Sequence, residues 1–282
     1  MRKRNTIFWS VLAAALIFGA SNLAAGQGQQ QQKPPTPPPG QGQQGQQGQP
    51  TTPAQPPVNK DEEDAYKKFF DAHATKDTQI TLGEDFLKKF PDSHYKESVY
   101  SVLTSDYMLA GQADKMMAAG EKTLEIDPDN VDVLAVLALA IPRRVDPSKL
   151  DAEQKLVKAE TYAKKGIALI SVLPKPAGIS DDDFQKAKNG KLSMCHSGLG
   201  VAYFQRGKYL ESAAELTEAI KLESDPDQVD YYVLGLAYNN AKKPDDAVAA
   251  FGKCAEIQGQ LQAECKKNQD AVKKTVASQP KP

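Results

Sequence analysis

The sequence predicts an all-α protein built from repeated pairs of helices, and three observations support this fold class. From residue 61 onward, apolar residues recur at the spacing of one helical face. Short turn sequences such as FPDS, DPDN and SDPDQ separate these segments, and no stretch alternates like a half-buried strand. Finally, the pattern Leu-Gly-x-Ala-Tyr begins at Leu199 and again at Leu234, and a period of roughly 35 residues is typical of helical repeat proteins.

The N-terminal residues 1–25 have the composition of a secretory signal peptide. Basic MRKRN precedes apolar IFWSVLAAALIFGA, and small residues follow where a signal peptidase could cut. An alternative is an uncleaved anchor in the inner membrane, because the apolar residues 7–25 nearly match the length that spans a bilayer. No cysteine lies near the cleavage region, which argues against a lipoprotein. We therefore expect an exported protein of the periplasm or cell envelope.

Three further segments follow the predicted signal peptide. Residues 26–60 consist largely of Gln, Gly and Pro, with too few apolar side chains to offset the entropy of ordering, so we expect a disordered linker. The helical repeat domain is predicted to span residues 61–277, and residues 278–282 are predicted to form a disordered tail.

Composition and motifs argue against several function classes. Acidic and basic residues are interleaved and the net charge is -1, so no field would attract nucleic acid. The three histidines lie in different repeats, and no HExxH, GxSxG, P-loop or GxGxxG occurs. The acidic clusters are explained by helix starts and turns: Ser180 is a natural N-cap, and the acids of SDPDQ suit a turn. We therefore expect no catalytic residue, no cofactor and no metal, and the protein is not predicted to be an enzyme.

The cysteines leave two pairing states open. Cys195, Cys254 and Cys265 are an odd number in an exported chain, so at least one is unpaired. Cys254 and Cys265 could meet across adjacent helices. Alternatively, Cys254 is a reduced residue at a position where the repeat needs a small buried side chain.

Two successive copies of the pattern run in step and resemble the tetratricopeptide repeat (TPR), which has Leu-Gly and Tyr on a first helix and small and aromatic residues on a second. This resemblance implies a right-handed α-solenoid of about five helix pairs, with residues 261–277 as a C-terminal capping helix. The residues that carry the signature are Leu199, Gly200, Tyr203, Gly207 and Ala219 in one copy and Leu234, Gly235, Tyr238, Ala247 and Phe251 in the next.

Three earlier copies depart further from the pattern. The copy over residues 61–93 is similar to repeats of bacterial envelope TPR proteins. The next ends in LEIDPDN, and the third begins at Val131 and is interrupted by PRRVDPSKL, residues 142–150. We expect this insertion to be a candidate functional loop or a tolerated surface insertion. As an alternative function, Arg143 and Arg144 would bind an anionic small molecule or substrate there.

A glycine within a helix needs a structural reason, since it costs about 1 kcal/mol relative to alanine. Because glycine lacks a Cβ atom, Gly200 and Gly235 would let the second helix of each pair approach closely. The additional apolar surface buried by this approach would offset the lost helix propensity.

The resemblance implies a non-enzymatic scaffold whose first helices line a concave groove that binds a peptide or helix of another protein. Each apolar groove position could instead pack against a neighbouring helix, and a self-associating envelope spacer is an alternative function. In the two clear copies the groove residues are predicted to be Met194, Ser197, Val201, Gln205, Val229, Tyr232, Leu236, Asn239 and Asn240. In the earlier copies they are Ser98, Ser101, Ser105, Met108, Asp132, Ala135 and Leu139.

Overall fold

A computed structural model describes residues 59–278, which contain eleven α-helices and one short 3₁₀ helix but no strand. The predicted all-α fold class is therefore confirmed. The predicted signal peptide, nearly all of the predicted linker and residues 279–282 of the predicted tail lie outside the described residues, and the predicted domain boundaries stay predictions. The described residues form two compact units, 59–93 and 94–278.

Unit 59–93 is one helix pair. Helix α1 (Lys60–Asp71) is followed by the 3₁₀ helix Ala72–Ala74 and by α2 (Lys76–Lys89). The Asn59 side chain accepts a hydrogen bond from the Asp61 N–H and so caps α1. The two helices pack together through aromatic rings, and Phe69 and Phe86 are almost completely buried.

Unit 94–278 contains four helix pairs and a terminal helix. Its first helices form a row in which α5 contacts α3 and α7, and α7 contacts α9; we name α3, α5, α7 and α9 the first-helix row. With α1 and α2, the described residues contain the five predicted pairs and the predicted cap. The helices are α3 (Lys96–Leu109), α4 (Ala113–Ile126), α5 (Val131–Arg144), α6 (Ala152–Ser171), α7 (Asp181–Gln205), α8 (Tyr209–Leu222), α9 (Gln228–Asn240), α10 (Pro244–Glu256) and α11 (Gln262–Ala277).

Three first helices end in the same turn. After α7, the N–H of Lys208 donates to the Tyr203 carbonyl at 2.9 Å, and the intervening Gly207 has φ 77°. This is a Schellman motif, in which the residue after the C-cap adopts a left-handed conformation. Gly111 takes this position after α3 with φ 68°, whereas Lys242 takes it after α9 with φ 62°. Lysine is therefore held in a conformation that suits glycine.

The two signature glycines lie where the helices of a pair approach each other. A Cβ atom on Gly200 would lie 2.6 Å from Leu216 Cγ, and one on Gly235 would lie 2.6 Å from Phe251 Cδ1. Both distances are shorter than contacts that real Cβ atoms make. The missing side chain therefore allows α8 to pack on α7 and α10 to pack on α9.

A third glycine allows contact between neighbouring pairs. A Cβ atom on Gly198 of α7 would lie 2.1 Å from the Ala138 carbonyl oxygen of α5. Pro142 has no N–H to donate to that same carbonyl, four residues earlier in α5. The carbonyl instead faces the Gly198 backbone, where a Cα–H can contact it. The helix thus continues through Pro142 to Arg144, so the predicted interruption at residue 142 was wrong and the break begins at Val145.

A disulfide and the side chain of Gln228 both help to attach the capping helix. Cys254 of α10 is bonded to Cys265 of α11, whereas Cys195 is buried and unpaired. The Gln228 amide nitrogen donates to the carbonyls of Cys254 and Ile257, at 3.1 and 2.8 Å, and its oxygen accepts from the Leu261 N–H at 3.2 Å. These bonds satisfy the backbone of the turn that leads into α11.

We expect Lys242→Gly to stabilise the protein by about 1 kcal/mol, because it removes the cost of a left-handed lysine. Urea unfolding measures the change. Lys243→Gly is the control, because Lys243 has an ordinary φ of -112° and the substitution only adds freedom to the unfolded chain. A gain of equal size in both variants would contradict the explanation.

We expect Gly235→Val to destabilise the protein by about 1 to 3 kcal/mol through overpacking against the Phe251 ring. In Gly190→Ala, by contrast, the new Cβ would lie 3.6 Å from Glu223 Oε1, an ordinary contact, so the higher helix propensity of alanine should stabilise by up to about 1 kcal/mol. Thermal and urea unfolding of both variants test the opposite signs. An unchanged thermal midpoint for Gly235→Val would show that the contact does not limit the packing.

Candidate partner-binding face

The first-helix row presents part of the predicted groove to solvent. Met194 and Gln205 of α7 are partly exposed, as is Leu236 of α9, and Asn239 and Asn240 at the end of α9 are exposed. In the earlier pairs Asp132 is exposed, and the partly exposed predicted positions are Ser98, Ser101, Ser105, Met108 and Leu139. This surface combines apolar side chains with neutral amides and hydroxyls and one carboxylate.

Four predicted groove residues lie in apolar parts of the core. Val201, Val229 and Tyr232 are 0%, 3% and 4% exposed and belong to one cluster shared by α7, α9 and the cap; Ala135 of α5 is buried in another. Burial and, to a smaller extent, the charge of Glu264 on α11 together raise the pKa of Tyr232 to about 12. In this conformation the four residues pack against neighbouring helices, which is the alternative that the sequence left open. The use of the other predicted positions by a partner stays a prediction.

Ser197, another predicted groove residue, belongs to a buried polar cluster. The Arg143 guanidinium donates to Asp227 Oδ2 at 2.6 Å, to Asp230 Oδ1 at 3.1 Å and to Ser197 Oγ at 2.8 Å. Ser197 Oγ in turn donates to Asp230 Oδ1 at 2.5 Å. We name these four residues the Arg143 cluster.

The cluster forms because three first helices each place a polar side chain where the helices meet. Arg143 lies in the last turn of α5, Ser197 is in the middle of α7, and Asp227 is the N-cap of α9, where it also accepts from the Val229 N–H. Asp227 therefore has the predicted turn role and a second role as the partner of Arg143. Asp230 follows one helical turn later, so both carboxylates reach the same guanidinium.

The electrostatics of the cluster differ between its two acids. Burial opposes ionisation of Asp227, but the Arg143 charge and a hydrogen bond from the Val229 N–H hold the pKa of Asp227 below its ordinary value. Burial raises the pKa of Asp230 to about 7, against the effect of Arg143. Burial also opposes the charge on Arg143, yet its two acidic partners keep the Arg143 pKa above its ordinary value. One cation is thus shared by two carboxyl groups.

The cluster changes the interpretation of the predicted 142–150 insertion. Arg143 is 6% exposed and already bonded to two carboxyl groups, so its charge is not offered to an anionic small molecule. Arg144 is exposed, but the two arginines do not converge on one site as the alternative function requires. The helical register of α5 separates them, since successive residues point in different directions.

Other surfaces of residues 59–278 are weaker candidates for a binding site than the first-helix row. A depression of about 330 Å³ lies between α4 and α6, and an ion pair from Lys158 to Glu121, at 2.6 Å, crosses its rim. Within that described part of the chain, no cluster of His, Cys, Asp and Glu side chains could hold a metal ion. None of its helices is both long enough and apolar enough to cross a membrane.

Comparisons with known proteins agree with the fold. Residues 231–261 match the family model described as tetratricopeptide repeat. The crystal structure of PilW, a widely conserved type IV pilus biogenesis factor, is 15% identical with a TM-score of 0.50, and the match covers 78% of this chain and 92% of PilW. A thermophilic TPR protein of Thermus thermophilus is 17% identical with a TM-score of 0.45, over 75% of this chain and 98% of that one. No curated protein matches the sequence. At these identities the likeness shows the fold alone.

We expect Arg143→Met to lower the free energy of unfolding at pH 8 by about 3 to 5 kcal/mol, because the buried Asp230 and the partly exposed Asp227 lose their only cation in the cluster. Adding Asp230→Asn should restore part of the loss. Lys221→Met is the control, since Lys221 forms an exposed pair with Glu218 and should change stability by less than about 1 kcal/mol. Equal losses in Arg143→Met and Lys221→Met in urea unfolding would contradict a structural role for the cluster.

Proposed function

We propose that this tetratricopeptide repeat protein binds a partner protein on its first-helix row, in the periplasm or cell envelope, and does not act as an enzyme. TPR proteins generally act as scaffolds that present an extended surface to other proteins. The fold of the chain supports this general role. Its location and its partner are the parts that need testing.

The observation that carries the proposal is the mixture of groups left accessible on the row. Leu139, Met194 and Leu236 offer partly exposed apolar surface on three successive first helices. The exposed Asn239 adds an amide group, which can hydrogen-bond the backbone of an extended or helical segment. Apolar contact would provide affinity, and the amide would orient the bound segment.

The row is also arranged before a partner arrives. Gly198 brings the backbones of α5 and α7 into contact, and Arg143 bonds residues of both α7 and α9. Because these helices are already ordered, binding would cost little conformational entropy. Preorganisation therefore supports capture of a flexible segment by a rigid face.

Export is supported by the composition of residues 1–25 and by the disulfide between Cys254 and Cys265. Disulfides persist in oxidising compartments such as the periplasm. Cell fractionation, combined with mass spectrometry of the N-terminus and of the trapped thiols, tests this location. A reduced Cys254 in a cytoplasmic fraction would overturn it.

Partner binding is tested by placing a photo-crosslinking amino acid at Met194 or Asn239 in living cells. Glu218 of α8 and Lys253 of α10 are exposed positions on second helices and serve as matched controls. We expect one distinct protein to be crosslinked from both first-helix positions and to be absent from both control positions. Equal adducts at all four positions, or none at Met194 and Asn239, would overturn the assignment. Adducts between two copies of the chain would instead support the self-associating spacer.

A further inference from the structure

The Arg143 cluster connects helix pairs that are not neighbours. In a repeat protein each pair normally contacts only the pairs before and after it. Arg143 extends from α5 past Ser197 of α7 to Asp227 and Asp230 of α9. The position of α9 relative to α5 therefore depends on the charges inside this cluster, as well as on apolar packing.

Those charges do not balance when both acids are ionised. The polar groups that act on Asp230 are Arg143 from α5, Ser197 from α7 and Asp227 from its own helix. Leu216 of α8 and Phe251 of α10 belong to the apolar cluster that also contains Val229 and Val233 of α9. With two carboxylates and one guanidinium, the cluster carries one uncompensated negative charge in a buried position, which is costly.

A proton on Asp230 removes this excess without breaking the observed bonds. Both donors, Ser197 and Arg143, bond the same oxygen, Oδ1. The other oxygen can therefore carry a proton while Oδ1 continues to accept both bonds. The protonated cluster then contains one guanidinium and one carboxylate.

We propose that protonation of Asp230 regulates the first-helix row: the protonated cluster holds α9 closed against α5 and α7, and loss of the proton loosens the first turns of α9. The effect on a partner rests on the proposed function, because α9 also carries Leu236 and Asn239. The conformational effect itself needs no partner. Few direct contacts connect α7 and α9, and α8 packs against both, so the cluster adds a polar link to the packing that α8 provides.

The direction of the pH dependence follows from linkage. The pKa of Asp230 is raised from an ordinary 3.8 to about 7 in the closed structure. Between these pH values the closed form holds a proton that an open, hydrated form releases. The opening equilibrium should therefore rise with pH, by up to about tenfold per unit, and level off above about pH 7. The opened fraction is therefore smallest in acid.

Hydrogen exchange of the α9 amides at residues 230–233, corrected for intrinsic exchange rates, tests the proposal between pH 5 and 8.5. In the wild type, protection should fall by up to about tenfold per pH unit and become constant above about pH 7. Asp230→Asn keeps the Oδ1 acceptor without titrating and should show constant protection. Glu223→Gln is the matched control, since burial also raises the pKa of Glu223 outside the cluster, and this variant should follow the wild type.

Two results would overturn the proposal: protection in the wild type that does not change with pH, or an Asp230→Asn variant that keeps the wild-type slope. If Asp230→Asn does not fold, Ser197→Ala decides the question. The Ser197 hydrogen bond lowers the pKa of Asp230. Its loss should therefore raise the pH above which hydrogen-exchange protection becomes constant. An unchanged dependence of protection on pH would overturn the proposal. These measurements use the protein without a partner. Hydrogen exchange can therefore contradict the pH proposal while crosslinking at Asn239 supports partner binding, and crosslinking can fail while hydrogen exchange supports the pH proposal.

Discussion

The arrangement of the first-helix row depends on one backbone contact, between Gly198 of α7 and the Ala138 carbonyl of α5. Any side chain at Gly198 would place its Cβ against that oxygen and hold the two helices apart. Pro142 makes the contact possible from the other side, because it leaves this carbonyl without its helical donor. The same close approach brings Arg143, the next residue in α5, within reach of α7 and α9. The buried cluster therefore depends on the helix contact.

The Arg143 cluster determines how α5, α7 and α9 are arranged more clearly than it adds to the stability of the fold. Removing the Arg143 guanidinium and the Asp230 carboxyl group from water carries a desolvation cost that a well-packed apolar cluster would not have. Apolar contacts between helix pairs, however, tolerate small rotations and translations, whereas a guanidinium bonded to Asp227 and Asp230 accepts one geometry. We interpret the cluster as the element that fixes the register of α5, α7 and α9, and its pH response as a consequence of having one cation for two acids.

The sequence predicted those features that depend on local spacing. Helix pairs, the capping helix, the N-cap at Ser180 and the close approach at Gly200 and Gly235 all follow from periodicity within one or two repeats. The Arg143 cluster could not be predicted in this way, since its hydrogen-bonded partners lie 54 to 87 residues away. Pro142 was misleading because a proline usually ends a helix, and only the position of Gly198 on another helix explains why α5 continues.

The predicted groove is only partly accessible, and this too depends on contacts between helices that local spacing does not reveal. Which side of a first helix is buried depends on its rotation against the next pair, and for the last pair it depends on the cap. Tyr232 is shielded by Glu264 and Asn268 of α11, so the accessible part of α9 is its C-terminal end, with Leu236 and Asn239. Gln205 occupies the corresponding end of α7. Gln205 and Asn239 thus lie about two to three turns along α7 and α9 from the Arg143 cluster, so Asp230 would affect Asn239 through the freedom of α9 to shift once its first turns loosen.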